Sequence, residues 1–132
     1  MVKKSLFEEV GGEKNMSRAT GTWGEAQVAN FLRKKGYRLL AHSYHCRFGE
    51  IDLIAQNEEY IVFCEVKLRD GAALYTPAEA VTREKQRRII RTAMCYLQKF
   101  PSSLQPRFDV VAITALGGTI SHHEWIKNAF TL

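Results

Sequence analysis

Residues 49 to 70, GEIDLIAQNEEYIVFCEVKLRD, put four ionisable side chains at alternating positions of two β-prone runs: Glu50 and Asp52 on the first, Glu65 and Lys67 on the second. A hairpin of strands 49–56 and 59–68 turning at Asn57 and Glu58 sets Gln56 opposite Glu59, Asp52 opposite Phe63 and Glu50 opposite Glu65. Opposed and alternate residues of a hairpin share a face. Glu50, Asp52, Glu65 and Lys67 therefore converge on one side, and Ile51, Leu53, Val62, Cys64 and Val66 on the other. Opposed side chains start only about 4.5–5.5 Å apart at Cβ, so the acids repel unless something positive intervenes. Lys67 supplies one charge. A hard divalent cation such as Mg²⁺, which takes one or two carboxylates together with water and phosphate oxygens, would supply two more. The other reading is a set of solvated ion pairs that add little to stability. Ile61 and Phe63 share the face with Glu65 and Lys67, which argues that this side is covered.

A second constellation is basic. In TREKQRRIIR, residues 82 to 91, Arg83, Lys85, Arg87, Arg88 and Arg91 oppose the single acid Glu84. Arg83, Arg87 and Arg91 recur every fourth residue and line one stripe of a helix, with Ile89, Ile90, Ala93 and Leu97 on the packed stripe. Such a row can follow a phosphate backbone with salt-sensitive affinity, or it can be a plain solvated face. Arg69 extends the Glu65–Lys67 face by two residues and is a further phosphate contact. His122 and His123 point to opposite faces of a strand, and His42 and His45 also diverge, so neither pair reads as a zinc site. Trp23, Tyr37, Phe108 and Trp125 read as packing residues. No glycine-rich phosphate loop is present, so no nucleotide cofactor is expected.

The elements that must position these groups follow from caps and breakers. Residues 1–20 show little periodicity apart from one turn around Leu6, Phe7 and Val10, and read as a flexible N-terminal arm ahead of one domain spanning 21–132. A helix over Trp23 to Lys35 has Thr22 and Glu25 at capping-box spacing and Gly36 as its stop. A strand over 37–46 precedes the hairpin. The second helix starts either at Thr76, with Pro77 in its first turn, or at Thr82, and it ends before Pro101. RFDVVAIT is a strand buried on both faces, and Gly117 and Gly118 turn it into TISHHEWI. The order is α-β-β-β-α-β-β.

Size and composition fit one globular domain, with 132 residues, 45% hydrophobic and 25% charged. Net charge is +5, which permits a polyanionic partner. No run approaches the roughly 20 apolar residues of a membrane span, and the basic N-terminus lacks a signal-peptide core. Cys46, Cys64 and Cys95 are odd in number and set in apolar contexts, as buried thiols of a reducing compartment would be. A cytoplasmic protein is expected.

The run GTWGEAQVANFLRKKGYRLLAHSYHCRFGEIDLIA, with VFCEVKLR, TPAEAVTREKQRRI and RFDVVAI, resembles the YraN-like family of small bacterial proteins, largely uncharacterised and classed with endonucleases. The resemblance covers about residues 20 to 126. An acid on the first helix, Asp on one strand and Glu-x-Lys on the next also resemble the PD-(D/E)xK superfamily, with Holliday-junction resolvases the nearest pattern. The resemblance implies a restriction-endonuclease-like fold, a central mixed five-stranded sheet flanked by helices. It implies a metal-dependent endonuclease that hydrolyses DNA phosphodiesters, branched or recombination intermediates among them. Asp52 and Glu65 would be metal ligands, the main-chain carbonyl of Val66 a third and Glu25 a supplementary one, with Mg²⁺ as cofactor and Mn²⁺ as substitute. Lys67 would be the catalytic lysine. Glu50 belongs to the family pattern as a supporting group. Ile51 replaces the proline of the motif's name. Analogy with resolvases suggests a homodimer. The competing expectation is a nucleic-acid-binding module of the same fold that cuts nothing and acts through a partner in recombination, repair or uptake of DNA.

Overall fold

Helix α1, Met16–Lys34, is followed by β1 (Arg38–Cys46), β2 (Gly49–Gln56), β3 (Tyr60–Asp70), α2 (Arg83–Lys99), β4 (Gln105–Leu116) and β5 (Thr119–Phe130). The computed structural model describes residues 16–70 and 81–131. The strands form one sheet in chain order. Only β3 and β4 run parallel, and the other neighbours are antiparallel. Parallel neighbours need a crossover rather than a hairpin, and α2 lies in that connection. The α/β class, the mixed sheet and the element order all match the expectation from sequence. No described helix is long and apolar enough to cross a membrane.

Each helix covers one face of the sheet. Ala26, Val28, Ala29 and Leu32 recur at helical spacing on α1 and bury against Leu53, Ala55, Val62, Cys64, Val111 and Ile113. A Cβ added at Gly24 would meet Ile113 Cδ1 at 3.4 Å and Leu68 Cβ at 3.7 Å, so α1 rides close over the sheet. On the other face Ile89, Ala93 and Tyr96 of α2 pack on Ile54, Ile61, Phe63, Phe108 and Val110. Full burial of such aliphatic and aromatic side chains contributes about 1.5–3 kcal/mol each.

β4 is buried on both faces, as its apolar run predicts, yet it carries an ion pair. Asp109, with no exposure, accepts from Arg107 Nε at 2.9 Å, an Arg107 terminal nitrogen at 2.7 Å, Trp125 Nε1 at 2.8 Å and Asn128 N–H at 2.9 Å. Arg107 also donates to the Tyr37 hydroxyl at 2.9 Å. A buried charge is tolerable only when paired and hydrogen-bonded, and this network meets that condition while tying β4 to β5 and to the chain leaving α1.

Three local readings change. α1 starts at Met16, before the expected Trp23, so Thr22 and Glu25 lie inside the helix and form no capping box. Residues 1–15 of the expected arm lie outside the described residues. Gly36 does end the helix: at φ 92° it lets its own N–H reach Arg33 O and the Tyr37 N–H reach Leu32 O, both at 3.0 Å. The β2–β3 turn sits one residue later than expected, because Asn57 Oδ1 accepts the N–H groups of Glu59 at 2.9 Å and Tyr60 at 2.7 Å and so opens the turn instead of occupying its centre. Gln56 therefore pairs with Ile61. Partners move by two positions, which preserves the face of each side chain. α2 is capped by Thr82, whose side chain accepts from Lys85 N–H at 3.1 Å in an extended conformation. The alternative start at Thr76 falls outside the described residues.

Candidate functional site

The β2–β3 ladder ends at Leu53↔Cys64. Asp52, the next residue of β2, stands opposite Glu65 rather than Phe63. Its side chain takes over from the backbone there: Oδ2 accepts the Val66 N–H at 2.8 Å. The inward–outward alternation of β2 fails at the same place. Ile51 packs in the α2-side cluster and Leu53 in the α1-side cluster, so Ile51 does not share a face with Leu53 as expected. On β1, Ser43 falls between the pairs His42↔Leu53 and Tyr44↔Ile51 and adopts φ 47°, a region that non-glycine residues seldom occupy. Asp52 thus sits where the strand pair twists open.

Three elements bring charge to that opening. Glu65 is only 5% exposed, and its Oε2 lies 3.3 Å from Lys67 Nζ and 3.6 Å from Lys85 Nζ. Lys85 arrives from the first turn of α2. It therefore belongs to the acid site and not to the arginine row with which the sequence groups it. From α1, on the opposite side of the sheet, Glu25 Oε1 accepts from Ser43 Oγ at 3.4 Å. Glu50 is exposed at the start of β2. With no capping box, the competing explanation for an acid at position 25 disappears.

The electrostatics register the crowding. Burial, then the charge of Glu65, pushes the Asp52 carboxyl up to about 8, against the opposing pull of the Val66 hydrogen bond; Glu25 and Glu50 add to the rise. Burial, then Glu50, pushes Glu25 up to about 7, with the Ser43 hydrogen bond acting the other way and Glu65 adding to the rise. Desolvation and like charges both disfavour the ionised form. The donor set is hard oxygen throughout. Among the described residues no three acidic, imidazole or thiol side chains gather closely enough to cage an ion. Asp52 and Glu65 instead suit a cation that takes one or two carboxylates and completes its shell with water and phosphate oxygens, as Mg²⁺ does.

The remaining expected residues divide. Arg87, Arg88 and Arg91 line a cleft on the outer side of α2 together with Arg47, Phe48 and Glu84. Arg83 is exposed and lies outside that lining. Arg69 is in β3, paired with Thr114, and its side chain lies outside the described residues. Val66 enters the site through its N–H. Trp125 meets both Phe31 and Tyr37 edge-on, so Trp125 and Tyr37 pack as expected, and His123 also meets Phe31 edge-on at 4.8 Å. Cys64 is buried, whereas Cys46 and Cys95 are half-buried. Ser43, Arg47 and Phe48 carry no site reading in the sequence, and Lys85, read there as a nucleic-acid contact, is found at the acid site instead. The basic–aromatic pair RF beside Gly49 was the available signal for Arg47 and Phe48.

A mixed sheet with a helix on each face and an acid cluster at the fork of its central hairpin defines a small α/β protein with a polar site at a strand opening. The family model of the uncharacterised protein family UPF0102 matches residues 24–113, and the chain belongs to that family, in keeping with the YraN-like resemblance. It is 50% identical over 116 residues to a UPF0102 protein of Symbiobacterium thermophilum, covering 87% of this chain and 98% of the relative. The corresponding protein of Saccharophagus degradans is 47% identical over 115 residues, covering 86% and 93%. That of Lachnoclostridium phytofermentans is 43% identical over 115 residues with the same coverage.

Proposed function

We propose that the protein is a metal-dependent endonuclease that hydrolyses phosphodiester bonds in DNA at the β2–β3 fork. The observation that carries this reading is the juxtaposition of Asp52 with Glu65 and Lys67, in which the Asp52 carboxyl is desolvated beside a second acid that is itself 3.3 Å from the lysine amine. A desolvated carboxylate beside a second acid costs stability, and a cation-binding role gives Asp52 a reason to be there.

Asp52 and Glu65 would hold Mg²⁺, with Glu25 and the Val66 carbonyl as further donors. The bound ion would polarise the scissile phosphate and lower the pKa of a coordinated water. The chain's own groups account for the rest. The Val66 N–H fixes one Asp52 oxygen and would leave the other to serve as the ligand. Lys67, tethered to Glu65, presents an ammonium to the phosphate as negative charge builds on its oxygens. Lys85 steadies Glu65 from α2. In the reaction a water oxygen bonds to phosphorus as the bond from phosphorus to the sugar oxygen breaks; the water gives up a proton and the leaving oxygen gains one. Recognition through backbone charge suits the arginines of α2.

The second reading is a nucleic-acid-binding module without catalysis. It is favoured by the two lysines that already neutralise Glu65 and by the absence, among the described residues, of a ready-made ion cage. A cleavage screen of branched, nicked and linear DNA with Mg²⁺ and Mn²⁺, beside an Asp52→Ala control, tests the first reading. Metal-dependent nicking by the parent alone supports it. Calorimetric titration that detects no Mn²⁺ binding, with no cleavage of any substrate, leaves the binding module.

A further inference from the structure

The β1–β2 turn carries Arg47 and Phe48 to the outer face of α2, where they close a cleft of about 310 Å³ with Glu84, Arg87, Arg88 and Arg91. That volume is in the range of small-molecule sites, roughly 300–1,000 Å³. Four guanidinium groups face one carboxylate, and Glu84 is already bound to Arg88 at 2.7 Å. The cleft therefore presents a surplus of positive charge. Its walls are also flat: the Arg47 guanidinium carbon lies over the Phe48 ring, 4.8 Å from its centroid, and that of Arg91 at 5.9 Å.

The turn is built to stay there. The Phe48 N–H donates to Cys46 Sγ at 3.4 Å. Gly49 seats the chain against α2 so closely that an added Cβ would meet Thr92 Oγ1 at 3.3 Å and Arg88 Cβ at 3.4 Å. Thr92 is held in turn by its hydroxyl, which donates to Arg88 O at 2.8 Å.

The geometry points to this cleft as a binding site for an unpaired stretch of DNA, with phosphates held by Arg87, Arg88 and Arg91 and a base stacked on the Phe48–guanidinium surface. The charges alone would serve a duplex equally well. An aromatic ring and guanidinium planes add affinity only for bases whose faces are free, because those of a duplex are already stacked on one another. The position fits a role beside the acid site. Phe48, in the turn, precedes Asp52 by four residues, at most about 13 Å of chain, a span of up to about four nucleotides at the stacked rise of ~3.4 Å and fewer in a stretched strand. A single-stranded arm of a flap or fork anchored here would run toward Asp52 and Glu65. The inference rests on the protein's acting on DNA, but its binding step is independent of cleavage.

Fluorescence anisotropy in EDTA, with a labelled thymidine homopolymer, a blunt hairpin duplex of equal nucleotide number and a uridine homopolymer, separates the cases. The parent should bind the thymidine strand at least about tenfold more tightly than the duplex. Phe48→Ala should weaken single-strand binding by about 5- to 150-fold, the equivalent of roughly 1–3 kcal/mol per stacked base, and leave duplex binding within about twofold. Phe48→Tyr, which keeps the ring, should bind like the parent. Phe48→Leu, which keeps apolar bulk without a flat ring, should behave like Phe48→Ala and serves in its place should that variant not fold. Equal affinity for strand and duplex, parallel losses on both, or tighter binding of the uridine strand would overturn the inference. Cleavage with Mn²⁺ is scored separately, so loss of the endonuclease reading leaves this result intact.

Discussion

Replacing Asp52 with Asn should stabilise the protein while abolishing its proposed activity. In the fold, burial and then the charge of Glu65 push this carboxyl up to about 8 from an ordinary value of 3.8. Between those values the folded state binds more protons than the unfolded one, so the contribution of Asp52 to stability is intact below about pH 4 and is lost as pH rises toward 8. Each unit is equivalent to about 1.4 kcal/mol, so the full shift gives an upper bound near 6 kcal/mol. Partial contact with solvent and repulsion shared with Glu25 and Glu65 reduce the expected gain to about 2–4 kcal/mol at pH 8. Asparagine keeps an oxygen for the Val66 N–H, now at 2.8 Å, so the substitution removes the charge without orphaning the donor. For a domain of this size each kcal/mol moves Tm by roughly 3–5 °C.

Thermal and urea unfolding of parent and variant across pH 4 to 8, without divalent ions, measures the difference directly. It should be near zero at the acid end and widen steadily toward the alkaline end. Adding Mn²⁺ should raise the parent's Tm and leave the variant's where it was, because only a folded state that binds the ion gains from it. A variant less stable than the parent at pH 8, or an offset that does not change with pH, would show that the Asp52 carboxylate is compensated by something other than a bound cation.

Lys67→Met should retain Mn²⁺ binding by calorimetry yet lose cleavage by at least about 100-fold, since it removes a charge aimed at the phosphate; cleavage at the parental rate would remove Lys67 from the chemistry. Arg107→Met should destabilise by about 3–5 kcal/mol in urea unfolding because it strands a buried Asp109; a loss below about 1 kcal/mol would mean that the other donors suffice. The Arg87→Ala, Arg91→Ala double variant should flatten the slope of log affinity for DNA against log salt by about 2, and an unchanged slope would place the phosphate contacts elsewhere.

Much of this arrangement is legible in the sequence because face assignment in a hairpin depends only on parity. The turn lies one residue later than the pattern implies, since Asn57 opens it, yet Asp52, Glu65 and Lys67 still meet because partners shift by an even number. What parity cannot deliver is the break in alternation at Asp52. It arises from the left-handed Ser43 on the neighbouring strand, and it takes Ile51 to the opposite cluster from Leu53. Serine has no sequence signature for that conformation. The start of α1 at Met16 differs from the capping pattern for a related reason: Thr22 and Glu25 satisfy that pattern, but so does any Thr-x-x-Glu inside a helix that began earlier.

Lys85 and the Arg47–Phe48 turn show the other boundary of sequence reading. Counting every fourth residue finds a basic stripe, but it cannot say that the first turn of α2 sends Lys85 to Glu65 of β3 while later turns face the β1–β2 corner. That division follows from the crossover, which carries α2 from the end of β3 back over the sheet to β4. Its first turn passes the acid fork and its next two pass the turn before β2. One helix therefore delivers Lys85 to Glu65 and three arginines to the neighbouring cleft. If the protein cuts DNA, strand capture and phosphate chemistry are coupled through a rigid element, and a substitution that tilts α2 should impair both together.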